Sequence, residues 1–169
     1  MNTVGRLRLA AAALSGLVFA PMSASADELG YEAYLDSSKR IKCLYGYVTA
    51  KTGNFDAAKQ IFEDCIRRWN DVYSLISLAQ MYESGSGVPK DLERAAVLLK
   101  QGAEQPDEAS YVSLARYHWG AALAEGRGVT ADRQAARHWL HSASKGGQTE
   151  ADEYLQRLDQ PDETAASLR

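Results

Sequence analysis

The sequence predicts an all-α fold, a short right-handed α-solenoid of about three antiparallel helix hairpins. Alanine and leucine are abundant while valine and isoleucine are sparse. This favours helix, because branching at Cβ restricts a side chain against the preceding helical turn. The 169 residues, 46% of them hydrophobic, are enough for one folded domain. A pattern of small residues also recurs at a fixed offset, which is typical of stacked helical units.

The recurring pattern occupies residues 78–95 and 119–136, with an offset of 41 residues, as between Gly85 and Gly126. In each stretch a helical segment ends in a Gly-x-Gly-Val motif, and an aspartate and an alanine follow. The matched pairs are Ala79 and Gly120, Gly85 and Gly126, Gly87 and Gly128, Val88 and Val129, Asp91 and Asp132, and Ala95 and Ala136. Two copies in register indicate a structural repeat.

Each part of the pattern has a physical reason. Gly85 and Gly126 are expected to end the first helix of each hairpin, because glycine accepts the left-handed backbone there. Asp91 and Asp132 are expected to cap the second helix by accepting hydrogen bonds from its free amides. The small residues allow close helix packing. The valines after the glycines are expected to fill the core below the loop.

An earlier unit, residues 43–70, follows the same logic with a shorter loop. The two Gly-x-Gly-Val units resemble Sel1-like repeats, which are related to tetratricopeptide repeats, and the earlier unit resembles a plain tetratricopeptide repeat. The resemblance extends over roughly residues 38–155. The predicted helices span about 30–51, 54–69, 71–84, 91–104, 108–125 and 131–145, with a short cap at about 149–158.

The first 26 residues are typical of a secretory signal peptide. Arg6 and Arg8 precede an apolar run over residues 9–20, and Ala24 and Ala26 provide the small residues of a cleavage site. We expect cleavage after Ala26. The alternatives are an uncleaved anchor and a buried first helix.

Cleavage would leave a repeat domain over residues 27–159 and a flexible tail over residues 160–169. Removing two of the 19 basic residues leaves 17 against 22 acidic ones, a net charge of −5. This acidic balance disfavours nucleic-acid binding, which usually needs a basic face. No second apolar segment is long enough to span a membrane. We therefore expect a periplasmic or secreted protein without a membrane anchor.

Both cysteines, Cys43 and Cys65, follow the expected cleavage site and would reach an oxidising compartment. A bridge between them would join the two helices of the first hairpin and close a loop that contributes about 3 kcal/mol. The alternative is a pair of buried free thiols. An offset of about one helical turn between the two positions would strain such a bridge.

Motifs for catalysis are missing from the sequence. His118, His138 and His141 do not form a zinc-binding pattern, and no serine occupies a Gly-x-Ser-x-Gly turn. The glycine loops are too short to hold phosphates and do not follow strands. We therefore expect no enzyme activity, no metal and no cofactor.

The resemblance implies that the first helix of each hairpin lines the concave side of the solenoid. By register this surface includes Arg40, Tyr47, Lys51, Tyr73, Gln80, Glu83, Tyr117 and Glu125, together with Ile76 and Ala121. Tyrosines among a few charges suit a peptide groove. The expected function is noncatalytic binding of a protein or peptide in the cell envelope. Alternatives are an envelope hydrolase acting on β-lactams or peptidoglycan, and a self-associating structural protein; the oligomeric state is left open.

Overall fold

A computed structural model describes residues 36–160, and these residues are helical with short connections. The predicted signal peptide lies outside the described residues, as do residues 161–169 of the predicted tail. The helices are α1 (Lys42–Lys51), α2 (Phe55–Trp69), α3 (Val72–Ser84), α4 (Leu92–Ala103), α5 (Val112–Glu125), α6 (Arg133–Lys145) and α7 (Glu150–Asp159).

The helices pack as three successive hairpins, α1–α2, α3–α4 and α5–α6, and α7 packs on α6 and α5. The second helix of each hairpin also contacts the first helix of the next, so the hairpins form a short solenoid. The predicted all-α class and hairpin order are confirmed.

Side-chain caps and left-handed residues set the helix ends, as predicted. Asp91 accepts a hydrogen bond from the amide of Arg94 at 2.9 Å, and Asp132 caps α6 in the same way. Gly85 and Gly126 end α3 and α5 in the left-handed conformation. The capping aspartates and the left-handed glycines therefore determine where each hairpin turns.

Each glycine loop packs against the hairpin that precedes it. A Cβ on Gly87 would overlap Phe55 at the start of α2, and one on Gly128 would overlap the backbone of Leu92 at the start of α4. Both glycines also have positive φ angles. The loops thus provide contacts between hairpins as well as turns within them.

Small residues allow the helices to approach closely at the core. A Cβ on Gly120 would lie 2.8 Å from Leu140 Cγ, so α5 and α6 require glycine there. Ala95 and Ala136 are buried, as the repeat predicts. One apolar cluster runs from α2 to α6 and includes Val88 at its edge.

Two predicted helix starts are wrong. Residues 36–41 form turns and α1 begins at Lys42, while residues 30–35 lie outside the described residues. The helix predicted from residue 108 begins at Val112, because Tyr111 has a left-handed backbone (φ 65°) that an α-helix cannot contain.

Candidate functional site

The first helices of the hairpins form one surface together with α7. Neighbouring helices of this surface are in contact: α1 with α3, α3 with α5, and α5 with α7. We call the surface of α1, α3, α5 and α7 the odd-helix face. Every residue predicted to bind a partner lies on or next to one of the helices α1, α3 and α5.

Three tyrosines form a continuous aromatic contact across the odd-helix face. The ring centroids of Tyr47 and Tyr73 are 6.0 Å apart, edge to face, and those of Tyr73 and Tyr111 are 4.9 Å apart. Tyr47 is 44% exposed and Tyr111 is 49% exposed, while Tyr73 between them is half-buried. We call Tyr47, Tyr73 and Tyr111 the tyrosine row.

Tyr73 is the packed centre of the tyrosine row. Burial raises the pKa of its hydroxyl, and the neighbouring hydroxyls of Tyr47 and Tyr111 raise it further. The hydroxyl therefore stays protonated and can donate a hydrogen bond. A hydrogen bond with Ser77 acts in the opposite direction on this pKa without reversing the shift.

Tyr111 was missed by the sequence analysis, which placed it inside a helix. Its left-handed backbone at the start of α5 turns the residue back toward α3, where its ring meets Tyr73. The sequence offers no signal for this turn, because Pro106 restricts only the backbone of the residue before it.

The two predicted cations, Lys51 and Arg40, make different contacts. The Lys51 ammonium lies 5.2 Å from the Tyr47 ring centroid, within the range of a cation–π contact. Arg40 donates to Asp71 from Nε at 3.2 Å and from Nη2 at 3.0 Å. Asp71 caps α3, so Arg40 has a structural contact as well as an exposed side chain.

A shallow pocket of about 220 Å³ adjoins the tyrosine row on α1 and α3. The exposed Gln80 lines it together with Tyr47, Lys51 and Ser77. These side chains provide hydrogen-bond donors and acceptors next to aromatic surface. The predicted residues Tyr47, Lys51 and Gln80 are therefore brought together.

The other predicted charges belong to a separate cluster around Arg127. Its guanidinium pairs with Glu83 and donates from Nε to Glu125 at 2.5 Å. The hydroxyl of Tyr154, on α7, donates to Glu125 at 2.6 Å. Burial first, and then the Glu125 carboxylate, raises the pKa of Tyr154. Glu83 and Glu125 thus have partners within the chain.

Tyr117 is half-buried and lies beside this cluster. Its ring makes edge-to-face contacts with His118 at 5.3 Å and with Tyr154 at 6.3 Å between centroids. The ring helps to pack α7 against α5, so packing explains much of the position of Tyr117.

Ile76 and Ala121 were wrongly predicted to face a partner. Ile76 is 2% exposed and packs with Val72 and Ala115, and Ala121 is 5% exposed. Both side chains therefore belong to the core and not to the surface of the odd-helix face.

The predicted disulfide is present between Cys43 and Cys65, with Cα atoms 5.9 Å apart. This distance lies within the usual range for a bridge, so the expected axial offset does not prevent it. The alternative of two free thiols is wrong. The bridge ties α1 to α2 at one end of the solenoid.

A buried ion pair lies next to the disulfide. Lys42 is fully buried and its ammonium contacts the carboxylate of Asp64, which also accepts from Arg68 Nε at 3.0 Å. Burial alone would raise the pKa of Asp64, but hydrogen bonds and positive charge from Lys42 and Arg68 outweigh it, and the pKa lies below its usual value. This pair was not predicted from the sequence, because lysine is rarely fully buried and Lys42 was expected to be exposed.

Within residues 36–160, no three histidine, cysteine or acidic side chains come together to hold a metal ion. His138 and His141 are exposed on α6, whereas His118 is half-buried on α5. No helix in this part of the chain has the length and apolar character needed to cross a bilayer.

The Sel1 repeat family matches residues 72–107 and 113–148, which contain α3–α4 and nearly all of α5–α6. The fold is similar to the crystal structure of a Sel1 repeat protein from Oxalobacter formigenes, with 21% identity and a TM-score of 0.61. The match covers 78% of this chain and 98% of that one. No curated protein matches the chain. Sel1 repeats generally serve as scaffolds for protein–protein interaction. Two segments of this chain, the second and third hairpins, thus match the Sel1 repeat family, and they stack on a disulfide-bridged first hairpin.

Proposed function

We propose that the protein is a noncatalytic scaffold of the bacterial cell envelope that binds a segment of a partner protein across the tyrosine row. The main observation in support of this binding surface is the exposure of Tyr47 and Tyr111 on either side of the packed Tyr73. Large exposed aromatic residues in mutual contact are uncommon on a surface that binds nothing.

Tyrosine suits this role for a physical reason. Its ring buries a large area with little loss of side-chain entropy, and its hydroxyl forms a hydrogen bond at the rim. The rings of the tyrosine row already hold one another, so binding would order few additional side chains. Less ordering leaves more of the contact energy for affinity.

The row crosses α1, α3 and the start of α5, so a bound segment would run across the helices of the odd-helix face. Gln80 and Ser77 would supply hydrogen bonds to the backbone of an extended peptide, and Lys51 would meet an acidic or carbonyl oxygen. Docking of an extended segment or a helix on a preformed groove is a common mode of recognition.

A location in the envelope is supported by two independent features. The first 26 residues are typical of a signal peptide. The disulfide between Cys43 and Cys65 is also of a kind that persists in oxidising compartments. Sequencing the N-terminus of the purified protein tests the proposal, and a start at Asp27 is expected.

A photocrosslinking experiment tests partner binding. A photoreactive phenylalanine analogue in place of the exposed Gln80 should give a discrete adduct with a partner protein in growing cells. Combining it with Tyr47→Ser and Tyr111→Ser should abolish the adduct, since these substitutions remove the two exposed rings.

The control places the same crosslinker at Val97, which is 65% exposed on α4 and away from the odd-helix face. Circular dichroism should show unchanged helicity in the double serine variant. An adduct that survives loss of both tyrosines, or that forms equally from position 97, would count against this binding surface.

A further inference from the structure

The rings of the tyrosine row are set at angles to one another. The ring planes of Tyr47 and Tyr73 meet at 62°, and those of Tyr73 and Tyr111 meet at 48°. Rings at such angles do not form the flat platform on which a planar base stacks. They offer the face of one ring beside the edge of the next, a surface that suits a compact, rounded apolar side chain.

The length of the tyrosine row fits one turn of a polyproline II helix. The steps between ring centroids are 6.0 Å and 4.9 Å. Together they are close to the rise of one polyproline II turn, which is about 9 Å over three residues. A proline-rich segment in this conformation would place successive pyrrolidine rings along the row. Because proline restricts the backbone before binding, little conformational entropy would be lost.

The polar groups beside the row match a ligand whose backbone offers acceptors. Proline has no N–H, so a proline-rich backbone presents carbonyl oxygens alone. Tyr73 keeps its hydroxyl proton, because burial and the neighbouring tyrosines raise its pKa. Lys51 and the amide of Gln80 line the adjoining pocket. Hydroxyl, ammonium and amide groups can all donate to such carbonyls.

The adjoining pocket also has a positive charge. Lys51 is exposed, and its ammonium lies 5.2 Å from the centroid of the Tyr47 ring. The described residues that line the pocket include this lysine and no carboxylate. An acidic side chain in the ligand would complement Lys51, whereas a basic side chain would meet a like charge.

We propose that the tyrosine row binds a proline-rich segment in the polyproline II conformation with an acidic residue among its prolines. This inference rests on the proposed function and narrows the partner to one chemical class. Aromatic-lined grooves recognise proline-rich segments in other folds by the same physical match. Prolines would lie against the Tyr47–Tyr73 and Tyr73–Tyr111 ring pairs, and the acidic side chain would face Lys51.

Titration with synthetic peptides tests the proposal. An oligoproline peptide with one central glutamate should bind the purified protein with a Kd below about 1 mM, as measured by calorimetry. Tyr47→Ser with Tyr111→Ser should weaken this binding at least about tenfold, because two exposed rings are lost. Val97→Ala, which shortens an exposed apolar side chain on α4, is the control and should leave the Kd unchanged.

A second peptide separates the polyproline II conformation from general peptide binding. It has the same length and the same glutamate, but glycine and serine replace the prolines, so its backbone is flexible. This peptide should bind at least about tenfold more weakly than the proline peptide, because it loses more entropy and lacks the pyrrolidine rings. Absence of binding by the proline peptide, or equal binding of the two peptides, overturns the proposal.

Exchanging charges tests the acidic residue. Lys51→Glu should weaken the glutamate peptide about fivefold and should favour an oligoproline peptide with lysine in place of glutamate. Lys90→Glu, at an exposed lysine in the loop before α4, is the matched control and should keep the preference for glutamate. An unchanged preference for glutamate in Lys51→Glu would overturn the charge match.

The crosslink from Gln80 in cells separates this inference from the proposed function. Sequencing the adduct identifies the bound segment, and a proline-rich segment with an acidic residue is expected. A tyrosine-dependent adduct to a segment without prolines would refute the inference and leave the proposed function standing. The absence of any tyrosine-dependent adduct would contradict the proposed function and the inference that rests on it.

Discussion

The first hairpin and the two Sel1 hairpins have the same antiparallel architecture but are held together differently. In α3–α4 and α5–α6, glycine loops pack against the preceding hairpin and alanines bring the helices together. In α1–α2 the turn is short, and a disulfide and the Lys42–Asp64 ion pair join the two helices.

The difference follows from position in the stack. The α3–α4 hairpin has a hairpin on both sides and buries apolar surface on both. Among the described residues, α1–α2 has a hairpin on one side only. A unit with less apolar burial gains less from the hydrophobic effect. The disulfide and the fully buried Lys42 thus lie in the hairpin that has one hairpin neighbour among the described residues, and substitutions should act through different mechanisms in the two regions.

Asp64→Asn should give the largest effect in the first hairpin. It removes the carboxylate that pairs with the fully buried Lys42 ammonium and with Arg68, and breaking a buried pair in this way costs about 3–5 kcal/mol. The free energy of unfolding from urea titration measures it. Glu63→Gln is the control, because its pair with Lys59 is partly exposed and is expected to contribute at most about 1 kcal/mol. Equal stabilities of the two variants would contradict this account of the hairpin.

Gly128→Ala should give the largest effect in the Sel1 hairpins. The added Cβ would overlap the backbone at Leu92, and the left-handed φ adds strain, so we expect a loss of about 3–4 kcal/mol. Gly147→Ala separates the two causes, since Gly147 also has a positive φ but open space around it. It should lose only about 1–2 kcal/mol in the same titration. A similar loss in both variants would mean that the loop contact contributes little.

Removal of the disulfide should have a somewhat smaller and more local effect. Cys43→Ala with Cys65→Ala opens a loop of 22 residues in the unfolded chain, which corresponds to about 3 kcal/mol. Amide hydrogen exchange should accelerate in α1 and α2 and stay unchanged in α5 and α6. Uniform acceleration throughout the chain would show that the first hairpin does not open independently. Reduction of the wild-type protein should reproduce the variant.

Most of the fold follows from the sequence, because glycine, alanine and aspartate act locally. Gly126 ends a helix and Asp132 begins one through their own backbone and side-chain geometry, whatever surrounds them. The disulfide was predictable as a pairing, because the chain has only two cysteines. Such positions can be recognised in the sequence because their structural effect depends on the residue itself and not on distant contacts.

The candidate site was less predictable, because it depends on contacts distant in sequence. Tyr111 joins the tyrosine row through a left-handed residue that no pattern indicated. Glu83, predicted to bind a partner, pairs with Arg127 of the next hairpin, a contact that the sequence pattern did not indicate. Ile76 and Ala121 show the same limit, since a small difference in helix rotation decides whether a residue is buried.

The smallest expected effect on stability comes from acidification and involves His118 in α5. Burial, and then the positive charge of Arg127, lowers the pKa of His118 below its usual value. Between that usual value, near 6.5, and the lower folded value, the unfolded chain binds a proton that the folded chain does not. Stability should therefore fall as the pH drops from 7.5 to 5.

The measurement is the melting temperature across this range. His118→Gln should flatten the dependence, and His138→Gln, at an exposed position on α6, should leave it as in the wild type. Asp64 does not interfere, because its pKa lies below the ordinary 3.8 and its stabilising effect is lost only at lower pH. A pH dependence that persists in His118→Gln would show that another group causes the acid sensitivity.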